Sequence, residues 1–96
     1  MSDNPLDEIR AEIDRLDRRL VTLLAEREGL VRRAGRLKAD TDAVRAPGRV
    51  EQVVAKARAL ATEAGASPDV TERTYRAMIA AFIDLELTTF REPPGV

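Results

Sequence analysis

The chain has 96 residues, a net charge of −1, 34% charged and 3% aromatic residues, which describes one small domain near the lower limit of what buries a sufficient core alone. It contains no cysteine and no histidine, which excludes a disulfide framework, thiolate chemistry, and the commonest general base and metal ligand. Acidic and basic residues are interspersed, without the strongly basic face of a nucleic-acid binder, and no run approaches the ~18 apolar residues of a membrane span. Ala, Leu, Val, Arg and Glu dominate, so an all-α protein is expected. The acidic start MSDNPLDEI lacks the apolar run of a signal peptide, and a cytoplasmic location follows as the expectation.

Asn4 and Pro5, followed by Asp7 and Glu8, form an N-cap, a first helical position and an acidic first turn. Apolar residues then recur at Leu6, Ile9, Ile13, Leu16, Leu20, Leu23, Leu30, Ala34 and Leu37, with residue 27 as the empty slot in an alternating 3, 4 spacing. This predicts a first helix over about 5–41, or ~54 Å of rod. Two short neighbours cannot cover such a stripe, so a partner of similar length is required, met by an antiparallel second copy. The stretch TDAVRAPG, residues 41–48, is the expected connector, punctuated by Pro47 and Gly48. A second helix is predicted over about 49–64, with Val50, Val53, Val54, Ala57, Leu60 and Ala61 inward and Gly65 as its stop. Ser67, Pro68 and Asp69 open a third helix over about 68–90, before EPPGV ends the fold.

Charges interrupt two of these stripes. Arg27 occupies a leucine slot in LLAEREGLV, and Glu86 continues the stripe Tyr75, Ile79, Phe82. A structural explanation exists: a polar residue on a seam fixes register, and Arg27 with Glu86 would form an ion pair. A binding site explains them differently. Lys38 lies 11 residues after Arg27, within ~20° of the same helical face and ~16 Å along the axis, so both cations lean toward one small anion. Arg10 is ~25 Å from Arg27 and about 100° off its face, so it reaches the same ligand only from an antiparallel partner chain.

The residues IRAEIDRLDRRLVTLLAERE…VRRAGRLK, with Arg49 opening the second helix and Glu86 in FIDLEL, resemble the all-helical chorismate mutases. The resemblance runs from about residue 6 to 90. It implies an intertwined homodimer of three-helix chains that binds a small dicarboxylate and needs neither cofactor nor metal. By the same resemblance, Arg10 crosses from the partner chain to one carboxylate and Arg27 holds the other. Lys38 contacts the ether oxygen together with Glu86, while Arg49, Val50 and Phe82 complete the substrate-binding set. The implied reaction is a concerted [3,3] rearrangement of chorismate, or of a 4-substituted analogue such as 4-amino-4-deoxychorismate. Orientation and preorganised electrostatics suffice for it.

Three positions depart from the family pattern. Val50 and Ala46 stand where acidic residues are usual, one of them on the C4 hydroxyl of the substrate. This brings KADTDAVRAPGRV close to the isochorismate pyruvate lyase branch, which yields salicylate and pyruvate. Glu86 stands where glutamine is common, and a carboxyl donates a hydrogen bond only when protonated. Such a role implies turnover that falls as pH rises from about 5 to 8, with Glu86→Gln flattening the profile. The rival of another class is a helical dimerisation module without catalysis.

Overall fold

In the computed structural model, residues 4–91 are described; the MSD start and the EPPGV end lie outside them. Four helices follow one another, α1 (Pro5–Gly35), α2 (Thr41–Arg45), α3 (Pro47–Ala64) and α4 (Pro68–Arg91), with no strand among the described residues. The protein is all-α. α1, α3 and α4 are the three predicted helices, and α2 is a single turn inside the predicted connector.

Local chemistry accounts for most of the boundaries. The Asn4 side chain accepts the N–H of Leu6 at 2.9 Å, and its carbonyl accepts that of Asp7 at 3.0 Å. Ser67 caps α4 by accepting the N–H of Val70 at 3.2 Å. Gly65 closes α3 with φ 77, and the next N–H, of Ala66, reaches back to the Ala61 carbonyl at 2.8 Å. That is the left-handed stop glycine allows at little steric cost.

The first helix is shorter than expected. It ends at Gly35, not near Thr41, and Leu37, in phase with the seam, is 88% exposed. Two local events end it. The chain tightens into a turn in which the N–H of Leu37 donates to the Ala34 carbonyl and that of Lys38 to the Gly35 carbonyl. Asp40 then starts α2 by accepting the N–H of Ala43 at 2.9 Å, which lets Val44 be buried. The single-helix geometry drawn between Arg27 and Lys38 therefore does not hold.

The joint between α2 and α3 is one residue, Ala46, with φ 33 and ψ 63. Its N–H donates to the Asp42 carbonyl at 2.9 Å, and its own carbonyl accepts the N–H of Val50 at 3.1 Å. A non-glycine residue in this left-handed region carries about 1 kcal/mol of strain. Pro47, at the first position of α3, has no N–H to lose there.

The chain divides into two compact units, Met1–Val31 and Arg32–Val96. In the first, α1 presents its seam without burying any residue; Leu6, Ile9, Ile13, Leu16, Leu20, Leu23 and Leu30 are all exposed in the single chain. The second holds all the buried hydrophobic residues among those described: Val44, Val54, Ala57, Ala61, Ile79 and Leu87. There α3 packs along α4, with α2 against α4 as well. The predicted inner side of α3 is correct for Val54, Ala57 and Ala61, and half-correct for Val50 and Val53. It is wrong for Leu60, which is exposed: the small side chains of Ala57 and Ala61 form the close contact and leave Leu60 beside it.

Candidate active site

Lys38 leaves the turn after α1 and meets Glu86, carried by α4 one turn after Phe82. Lys38 Nζ donates to Glu86 Oε2 at 2.8 Å. The Glu86 side chain is 8% exposed and that of Lys38 26%, so the pair is shielded from water on the carboxylate side. A charge-assisted hydrogen bond in such surroundings is stronger and more directional than one at the surface. The Lys38 ammonium keeps two further donors for another acceptor. Arg49 and Val50 lie in the first turn of α3, Val50 half-buried and Arg49 exposed. Phe82 is half-buried on the stripe whose next members are Glu86 and the buried Leu87.

The structure thus brings together Lys38 and Glu86 of the predicted residues. Arg10 and Arg27 belong to the N-terminal unit. Arg10 is exposed and lies 3.9 Å from Asp7, one helical turn away, a loose pairing. Arg27 is half-buried, although its seam neighbours Leu23 and Leu30 are 58% and 60% exposed.

One residue at this site escaped the sequence reading. Gly35, the last residue of α1, lies so close to Glu86 that a β-carbon added there would stand 3.2 Å from Oε2. The signal available was a glycine inside a helical pattern, which by itself says little.

A cleft of about 630 Å³ lies elsewhere on the second unit, lined by Asp42, Arg45, Pro47, Ala80, Ile83 and Asp84. It takes in none of the predicted site residues. Ion pairs also run along the α3–α4 seam, where Glu51, Arg76, Glu72, Arg58 and Asp69 form a ladder of alternating charge. Arg76 grips Glu51 through two bonds of 2.8 and 2.9 Å and Glu72 through one of 2.7 Å. Arg58 reaches Glu72 and Asp69, each at 2.9 Å. The Arg76 hydrogen bonds hold the Glu51 and Glu72 carboxyls below their ordinary value, and the Arg58 and Arg76 guanidinium groups are held more firmly protonated in return. This ladder clamps two helices.

The paired cation and carboxylate, shielded at the meeting of the α1 turn and α4, are suited to holding an electronegative atom of a small molecule. No helix among the described residues is long and apolar enough to cross a membrane. Among curated proteins none matches the chain. Residues 9–87, well over half of the chain and inclusive of every candidate site residue, match a protein family described as chorismate mutase type II. This helical chain is a member of the chorismate mutase type II family, whose chemistry is that of an isomerase.

Proposed function

We infer that the chain catalyses the [3,3] rearrangement of chorismate, or of a 4-substituted analogue such as 4-amino-4-deoxychorismate, to a prephenate-type product. It does so without a cofactor, in a site shared between the two chains of an intertwined homodimer. The observation that carries this reading is the Lys38–Glu86 pair, an enclosed carboxylate holding an ammonium with donors to spare. In a [3,3] rearrangement the ether C–O bond breaks as a C–C bond forms, and the ether oxygen gains negative charge on the way. Lys38 donates to that oxygen, and Glu86, as acceptor, holds the ammonium in place. A preorganised donor aimed at developing charge lowers the barrier by about 3–4 kcal/mol. Arg27 holds one substrate carboxylate and Arg10 of the partner subunit the other, with Arg49, Val50 and Phe82 along the ring.

The exposed seam of α1 supports the dimer. Seven leucine and isoleucine residues on one helical stripe, none of them buried, are a face built for a second copy of the same rod. Antiparallel pairing also places Arg10 of one chain beside Arg27 of the other.

A second reading rests on Val50. Half-buried and apolar at the start of α3, it offers no acceptor to a C4 hydroxyl, and isochorismate lacks that group. Isochorismate pyruvate lyase activity is therefore the alternative. Separate incubations of the purified protein with chorismate, isochorismate and the 4-amino analogue decide between them. A mutase consumes chorismate or the analogue and forms a product of unchanged mass and altered retention. A lyase forms salicylate and pyruvate. If the wild type is inert on all three, and Arg27→Ala loses the dimer, the chain is a dimerisation module.

Glu86 itself is tested by pH. If it donates to the ether oxygen as a protonated acid, turnover falls as the carboxyl ionises and Glu86→Gln flattens the profile. If it orients Lys38 as an acceptor, the substitution lowers kcat and leaves the shape of the profile unchanged.

A further inference from the structure

Glycine weakens a helix, so each helical glycine needs a cause. At Gly65 the cause is the backbone, with φ 77. Gly35 lies in α1 with no positive φ, a conformation that alanine adopts more readily. The cause must be a neighbour. At Gly29 and Gly48 an added β-carbon would meet nothing within 4 Å. At Gly35 it would stand 3.2 Å from Glu86 Oε2 and 3.7 Å from both Cδ and Cγ of the same side chain. The first distance is shorter than a comfortable carbon–oxygen contact.

Glu86 has little room to retreat. Its Oε2 is tied to Lys38 Nζ at 2.8 Å, its side chain is almost enclosed, and the next residue, Leu87, is buried. Gly35 also touches the other member of the pair, because its carbonyl accepts the Lys38 N–H at 3.2 Å. One residue therefore controls both the approach of the carboxylate and the turn that delivers the ammonium.

We propose that Gly35 is a positioning residue: its bare Cα lets the Glu86 carboxylate lie against the end of α1, and this sets the direction in which Lys38 presents its ammonium. The placement stands on the geometry alone; its effect on turnover rests on the function proposed above. Gly35→Ala displaces the carboxylate by a few tenths of an ångström. With the substrate that the wild type turns over, kcat falls about tenfold and KM changes by less than about twofold, because the pair acts on the reacting oxygen and not on the carboxylates. Thermal stability is unchanged or higher, since alanine favours the helix. Gly29→Ala, exposed and unobstructed, takes the same helical gain and keeps its kcat.

Because Gly35 acts through Glu86, the two positions are coupled. In a Glu86→Ala background, Gly35→Ala has no further effect on kcat. Should Gly35→Ala fail to fold alone, recovery of folding in the double variant supports the contact. A Gly35→Ala enzyme within twofold of the wild-type kcat overturns the proposal, as does an effect that simply adds to that of Glu86→Ala. If the wild type turns over none of the three compounds, the functional reading falls separately. A crystal structure of Gly35→Ala then decides the placement: a displaced carboxylate upholds it, and an unmoved Lys38–Glu86 pair overturns it.

Discussion

The stripe from Leu6 to Leu30 on α1 is as regular as any in the molecule, yet α1 buries nothing, whereas α3 and α4 build a core from Val54, Ala57, Ala61, Ile79 and Leu87. The difference is in the side chains offered to a neighbour. α3 presents alanines that let a second helix come close within the same chain, and the Glu51–Arg76–Glu72–Arg58–Asp69 ladder flanks that contact. α1 presents large branched residues that need an equally long surface to cover them. An amphipathic pattern states that a face must be covered; it does not state by what.

The sharpest way to break this contrast is Leu20→Asp. In the proposed dimer the change removes a buried leucine from each of two chains, about 2–3 kcal/mol apiece, and weakens association by roughly a thousandfold or more. Sedimentation would show monomers, and circular dichroism a loss of helix equivalent to α1 with α3 and α4 retained. A variant that stays dimeric places the interface elsewhere. Next in size is Arg27→Ala, expected to lower turnover by about 10²–10³-fold while the dimer persists. Steady-state kinetics beside sedimentation would check it, and loss of the dimer would move Arg27 from site to scaffold.

Val54→Ala should destabilise the second unit by about 2 kcal/mol, whatever the protein concentration. Ile13→Ala should instead lower the melting temperature more at low concentration than at high, since its burial comes from a partner. Calorimetry at two concentrations separates the cases. The smallest effect belongs to the surface ladder. Glu51 and Glu72 are held below their ordinary value of 4.5, so their stabilisation is complete above that pH and disappears as pH falls through the folded values. Glu51→Gln should therefore melt slightly below the wild type at pH 7, by a gap that closes as acid protonates the Glu51 carboxyl. A gap that persists in acid would assign the effect to packing.

What the sequence disclosed divides along similar lines. Asn4, Ser67 and Gly65 act through bonds to residues two to five positions away, and they mark their helix ends correctly. The apolar spacing overruns the end of α1 because Leu37 keeps the period, while the tight turn after Gly35 and the Asp40 cap of α2 leave no mark in that spacing. Arg27 and Glu86 were visible because each violates a pattern. The resemblance sets Lys38 and Glu86 at one ether oxygen, but their direct hydrogen bond depends on a turn that no periodicity encodes. Leu60 shows the opposite failure, an apolar residue in phase with a buried face that stays exposed.

The left-handed joint at Ala46 limits how this lineage can diversify. Valine, isoleucine and threonine are sterically shut out of such a backbone, which admits alanine under strain and glycine, asparagine or aspartate more easily. Position 50, in an ordinary helical turn that accepts branched, acidic or amide side chains alike, carries no such restriction. In the function proposed above, position 50 is therefore the freer of the two to vary, and residue 46 contributes a fixed bend and a short menu.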